Sequence, residues 1–288
     1  MQWYTYALAG AFLLALADVW TKKLLFKEHA LEFLACRAVY TLLLLIIAFP
    51  LVPEIPSGKV LLLVYFVSLS ITVYLWVEAK ALRHLDISVM EPLYNVSPFF
   101  LLIFAFLFLG ERISPVQGLG VVLLIVGAYV LERGKDRRHL LAPWLALWKN
   151  SYTRFFLLGL VFISGVSVFE KYLISFVVDA VTYLYFVWVF ICLNVLVVHS
   201  ARFGFKDLKR DIKRAGSWTL LVSFLHLTSL FFHFQAVSLV AVSLALPVRR
   251  LSTLFATFFG GRMFHEKGLS SRVVACCILV VGAILIIV

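Results

Sequence analysis

The chain has 288 residues, of which 63% are hydrophobic and 14% charged, with a mean hydropathy of +1.03. Soluble domains carry roughly 25% charged residues, so the composition excludes an ordinary water-soluble protein and puts most of the surface against lipid. The net charge of +11 does not mark a nucleic-acid partner, because the basic residues fall between apolar runs, where they report membrane topology.

At about 20 apolar residues per crossing, the sequence predicts an all-α membrane protein of ten transmembrane helices. The spans are residues 3–24, 30–51, 59–80, 87–109, 114–131, 153–175, 179–199, 216–237, 239–261 and 270–288. Most connections are short, so consecutive spans should be antiparallel neighbours. The two longer ones, 132–152 and 200–215, contain LLAPWLALW and FGFKDLKRDIKR. In the second, Phe205, Leu208 and Ile212 share one face among basic residues. Both read as helices lying on lipid headgroups.

The first span carries Asp18 and Lys22 at i and i+4, an ion pair near the interface, with Asp18 also a candidate counter-ion. In the second, Arg37 has a side chain long enough to snorkel to the basic side. The third supplies Tyr74 as a candidate substrate contact and Glu78 as a candidate counter-ion. On the fourth, Glu91, Tyr94, Asn95 and Pro98 recur at i, i+3, i+4 and i+7, one helical face. Glu91 there is either a coupling carboxylate or a permanent counter-ion.

Then comes GERISPVQGLGVVLLIVGAYVL, residues 110–131. Ser114 suits a helix cap and Pro115 the first helical position. Gly118, Gly120 and Gly127 permit close helix packing. Glu111, like Glu266 later, reads as serving a helix end.

In the sixth span Ser164, Ser167 and Lys171 share a face beside Glu170, a further candidate counter-ion. The aromatic run Tyr183, Tyr185, Phe186, Trp188 reads as a lipid belt. The eighth span has Ser223, His226, Ser229 and His233 on one stripe, read as lining or interhelical hydrogen bonding, with His226 and His233 candidate substrate contacts.

The ninth span is the most unusual. Arg249 and Arg250 sit mid-membrane, at a cost of at least ~2.5–3.5 kcal/mol each, so they face a partner or a wet cavity. Read as one continuous helix, Ser243, Arg250, Thr253 and Thr257 share a face. Guanidinium is suited to phosphate or carboxylate. The competing reading is neutralisation by Asp18, Glu78, Glu91 or Glu170.

Residues 236–286 align without a gap on residues 81–131. Ser88 pairs with Ser243, Pro92 with Pro247, Ser97 with Ser252, Glu111 with Glu266 and Gly127 with Gly282, while Tyr94 and Asn95 stand where the second copy has Arg249 and Arg250. Earlier, Gly10 and Lys22 echo Gly159 and Lys171. This divides the chain into a five-helix repeat at 1–131, a basic linker at 132–152 and a second repeat at 153–288. Because five is odd, the repeats must be inverted, with substrate expected near the midplane between them. Of the 26 Lys and Arg, 20 fall on one side of the ten-span arrangement. The positive-inside rule makes that side cytoplasmic and puts both termini outside.

The combination of Arg37, a first span ending in WTKK, Pro92 running into GER and QGLG, and the weaker LPVRR, HEKG and VVGAILII resembles the EamA-like group of the drug/metabolite transporter superfamily. The resemblance covers essentially the whole chain. It implies a 5+5 inverted repeat, alternating access, a cavity lined mainly by spans 1, 3, 4, 6, 8 and 9, and spans 5 and 10 as braces. Two features depart from the family pattern: FFGGRMFHEKG replaces a cleaner LGE, and family members keep both termini cytoplasmic. PVRR is similar to the phosphate-contacting basic pair of the superfamily's sugar-phosphate carriers.

The function expected is secondary transport of a small polar, anionic metabolite, with a proton or counter-substrate as the coupled species. Partners are that solute and the bilayer; no cofactor motif is present, and oligomeric state is left open. Within the same class, export of amino acids or of cationic or aromatic compounds stands as the alternative. A polytopic enzyme acting on lipid phosphates would call for clustered acids or zinc-type spacing, and no HExxH occurs.

Overall fold

The computed structural model describes residues 2–25, 30–85, 93–94, 96–133, 150–263 and 270–287. Among them the secondary structure is helical, without strands. The helices are α1 (Trp3–Leu25), α2 (Ala30–Ala48), α3 (Gly58–His84), α4 (Ser97–Phe104), α5 (Pro115–Arg133) and α6 (Ser151–Phe176). After them come α7 (Ala180–Phe203), α8 (Phe205–Leu239), α9 (Val242–Arg249), α10 (Ser252–Met263) and α11 (Ser270–Ile287). A π-helical stretch, Ala105–Leu109, prolongs α4.

Among the described residues, six segments are long and apolar enough to cross a membrane: Trp3–Thr21, Glu32–Leu51, Gly58–Glu78, Ser151–Phe176, Ala180–Phe203 and Gly216–Leu239. Ser97–Leu109, Pro115–Gly127 and Val274–Ile287 are shorter apolar helices. Large apolar side chains point outward all round, among them Ile47 at 76%, Phe108 at 74% and Phe176 at 75% exposure. An exposed apolar surface of this extent needs lipid as its solvent.

The predicted segment 200–215 does not stand apart from the next span. Helix continues from Phe205 to Leu239, broken only at Gly216, whose φ of 64° and ψ of −177° suit a residue without Cβ. Leu208, on its apolar face, is buried. The LLAPWLALW stretch lies outside the described residues.

Small residues set the interior. Ala7, Ala11 and Ala15 are buried on one stripe of α1, which packs against α8. A Cβ on Gly10 would lie 3.1 Å from the Ser229 carbonyl and 3.4 Å from Phe232 Cβ. Ser229 Oγ donates to the Gly10 carbonyl at 2.8 Å. The α6–α3 crossing repeats this arrangement: a Cβ on Gly159 would meet Val77 at 2.9 Å and Tyr74 at 3.6 Å. Gly159 follows Gly10 by the same step as Lys171 follows Lys22, and Ser229 and Phe232 stand where the repeat places Tyr74 and Val77.

Helices α5 and α11 run antiparallel and interlock. A Cβ on Gly127 would sit 3.0 Å from Leu279 N, and one on Gly282 2.9 Å from Leu124 N. Gly127 aligns with Gly282 and Leu124 with Leu279, so each glycine receives the partner of the other.

Candidate functional site

The ninth predicted span is two helices. α9 ends at Arg249, Arg250 and Leu251 form a turn, and α10 begins at Ser252. Within the turn Arg250 N donates to the Pro247 carbonyl and Leu251 N to the Val248 carbonyl, both at 3.0 Å. The fourth predicted span has a matching break: Leu93 and Tyr94 are helical, Val96 lies in a turn, and α4 begins at Ser97. Val96 N donates to the Leu93 carbonyl at 3.0 Å, the counterpart of the Leu251–Val248 bond in the aligned repeat.

Pro98 explains what the first break offers. In a continuous helix the Tyr94 carbonyl would accept from residue 98, and proline has no amide hydrogen to give. The freed oxygen accepts from Ser97 Oγ at 2.9 Å and from Arg250 Nη2 at 3.4 Å. Arg250 Nη2 also donates to Ser97 Oγ at 3.0 Å, and Ser164 Oγ of α6 donates to the Ser97 carbonyl at 3.1 Å. The two breaks therefore face each other, with Arg250 spanning between them.

Arg249 is placed differently. Its Nε is buried and has no hydrogen-bond partner among the described residues. Arg250, Asp18 and Glu170 lie close enough to act on it electrostatically. So does His233, which is 6% exposed and whose Nδ1 is likewise buried without a partner among the described residues. His226 lies within reach of both Arg249 and Arg37, its ring edge-on to Trp188 at 5.4 Å.

The carboxylates are held by tyrosines. Glu170 Oε1 accepts from Tyr183 OH at 2.8 Å, and Glu78 Oε1 accepts from Tyr94 OH. The Tyr94 ring packs edge-on against Phe156 at 5.0 Å, and Tyr74 lies within reach of Glu78 and Arg250. Among the described residues, three acids (Asp18, Glu78, Glu170), three arginines (Arg37, Arg249, Arg250), two histidines (His226, His233) and three tyrosines (Tyr74, Tyr94, Tyr183) are thus each linked to at least one other by a hydrogen bond or by electrostatic reach.

Residues 1–133 match the model of the EamA-like transporter family. That match spans a little under half of the chain, whose first part is similar to the EamA-like transporters. The members of this family are membrane transporters. No curated protein matches the sequence. Twenty-eight chains of known structure do. One crystal structure superposes with a TM-score of 0.71 at 15% identity, covering 98% of this chain and 94% of its own. At that identity the likeness concerns fold, and it extends over the second half, beyond the family match.

Several sequence-based readings change. Ser243 and Arg250 do not lie on one continuous helix with residues 253 and 257, because the turn at 250–251 separates α9 from α10. Ser243 is buried and bonded to Glu111. Tyr183 is not part of a lipid belt: it is fully buried and holds Glu170. Arg37 is half-buried, with Glu78, Asp18 and Cys192 within electrostatic reach. Glu91 and Asn95 lie outside the described residues, as do the side chains of Thr253 and Thr257. Sequence reading named Pro98 on the polar face of the fourth span and paired Ser97 with Ser252, but missed the helix break at these residues, although a proline's consequence for the carbonyl four residues earlier is readable from spacing alone.

Proposed function

We propose that this chain is an EamA-like secondary transporter that moves a small anionic metabolite by alternating access, with Arg249 as its anchor. The observation that carries the reading is the orphaned Arg249 Nε beside the orphaned His233 Nδ1. A buried donor without a partner costs roughly 1–3 kcal/mol, more when charged, and an oxyanion ligand supplies what is missing. Arg250, in contrast, spends Nη2 on Ser97 and Tyr94 and serves the architecture. Two inverted five-helix repeats, 1–131 and 153–288 joined by the basic linker 132–152, close around this region. Three reciprocal relationships support that division: Gly10 and Gly159 at their crossings, Gly127 and Gly282 at theirs, and the paired helix breaks.

In this reading Tyr74, Tyr94, Asn95, Thr253, His226 and His233 contact substrate. Asp18, Glu78, Glu91 and Glu170 balance the arginines, and a proton or counter-substrate completes the cycle. The basic side faces the cytoplasm and both termini lie outside. A C-terminal reporter active only outside the cytoplasm tests this, and cytoplasmic activity overturns it. Amino-acid export is the second reading, favoured by Glu170 lying near Arg249: one end of a zwitterion would meet the guanidinium and the other a carboxylate.

The deciding experiment is a thermal-shift screen of purified protein against phosphorylated sugars, nucleotides, dicarboxylates, amino acids and organic cations, followed by liposome exchange with any hit. Stabilisation by organic cations alone would sink the anionic reading.

A further inference from the structure

Helix α9 has eight residues, about 12 Å at 1.5 Å per residue, and is fastened to the first half of the chain at both ends. At its C-terminal end Arg250 reaches Ser97 and Tyr94. At its N-terminal end the carboxylate of Glu111, on the link between α4 and α5, accepts three hydrogen bonds. They come from Val242 N at 2.9 Å, Ser243 N at 3.1 Å and Ser243 Oγ at 2.6 Å. An acid on the free amides of a helix N-terminus is favoured both by hydrogen bonding and by the helix dipole. On the other side of the α8–α9 connection, Lys171 Nζ of α6 donates to the carbonyls of Val237 at 2.5 Å and Val240 at 2.9 Å, at the C-terminal end of α8. Cation and anion thus grip opposite helix ends flanking a short connection, and Glu111 and Lys171 lie within electrostatic reach of each other.

We propose that Glu111 and Lys171 are positioning residues that latch the α8–α9 connection on one face of the transporter. Release of Glu111 opens that face while Arg250 serves as the pivot. This rests on the alternating-access reading. The two fastenings of α9 differ in what they hold. Arg250 is met by a carbonyl and a hydroxyl deep in the bundle, whereas Glu111 sits on a connecting link whose next residue, Arg112, is exposed. Water can take over the Glu111 hydrogen bonds more cheaply than those of Arg250. The sequence repeats the same residue types at Lys22, Ser88 and Glu266, as two alternating faces require; these lie outside the described residues or side chains.

The test uses the full chain in nanodiscs with Ala241→Cys, a half-buried position at the start of α9. Modification by a hydrophilic maleimide is read at residue 241 by peptide mass spectrometry, so the four native cysteines do not interfere. Glu111→Gln and Lys171→Met should each raise the rate at 241 by about tenfold, the factor of one charge-assisted hydrogen bond. Ser243→Ala should raise it less. Ser114→Ala breaks the reciprocal Ser114–Gln117 cap at the start of α5; it should lower the melting temperature without changing that rate. Equal rates in all backgrounds would overturn the latch alone, as would rates that follow melting temperature, Ser114→Ala included. No modification in any background, the unaltered latch included, would remove alternating access and the latch with it.

Discussion

Arg250 Nη2 lies 3.0 Å from Ser97 Oγ, so the break in one half of the chain is tied to the break in the other. Removing the guanidinium by Arg250→Ala leaves Ser97 and the Tyr94 carbonyl without this donor. A hydrogen bond from a charged group contributes about 1.5–3 kcal/mol, so the melting temperature should drop by several degrees. Ser97→Ala, which keeps the carbonyl contact, should cost less. A melting temperature unchanged by Arg250→Ala would show that the tie contributes nothing.

Arg249 should behave in the opposite way. Replacing it with alanine relieves a buried donor that lacks a partner among the described residues, so stability should hold or rise while binding of the anion identified by screening is lost. Arg249→Lys keeps the charge but not the planar fork, and affinity should still fall roughly 10- to 100-fold, as expected for one charge-assisted contact. Isothermal titration of the two variants gives the answer. Retained affinity in Arg249→Ala would move the anchor elsewhere.

The contrast between these adjacent arginines marks where the sequence stops being informative. Both stood out because two charges interrupt an apolar run, and membrane energetics make that interruption meaningful wherever it occurs. Their separate roles depend on which way a two-residue turn points each side chain, and a continuous apolar run does not announce the turn. Glu111 was readable as a helix-end residue from its place in GERISP. Its partner was not, because Ser243 is 132 positions away and belongs to the other half. The glycine crossings were legible for the converse reason. Close approach demands the same small residue in both copies, so the repeat shows through at Gly10 and Gly159 and at Gly127 and Gly282.

That close approach gives a prediction of its own. A Cβ on Gly120 would lie 2.7 Å from the Gly282 carbonyl and 3.1 Å from Ile286 N, against backbone that cannot swing aside. Gly120→Ala should therefore force α5 and α11 apart and cost about 1–3 kcal/mol. Gly118, two residues earlier, would meet only Ile113 Cδ1 at 3.8 Å. Gly118→Ala should be neutral or slightly stabilising, since alanine is the better helix former. Similar melting temperatures for the two variants would contradict the described α5–α11 interface.

Tyr183 and Tyr185 offer the last comparison, because they are two positions apart on α7 and identical in composition. Tyr183 is 0% exposed, packs edge-on against Phe234 at 5.3 Å and donates to Glu170 at 2.8 Å. Tyr185 lines an apolar groove of about 560 Å³ with Leu44, Ala48, Phe224 and Phe231, and tilts against Phe49. Tyr183→Phe preserves the ring and removes only the donor, leaving a carboxylate near Arg249 short of one hydrogen bond. The cost should be about 1–3 kcal/mol, with a further effect on anion affinity because Glu170 and the substrate compete for the same guanidinium. Tyr185→Phe should change neither quantity. Thermal unfolding and anion titration of the pair separate the two cases, and a Tyr183→Phe variant as stable and as tight-binding as Tyr185→Phe would return Tyr183 to the lipid belt.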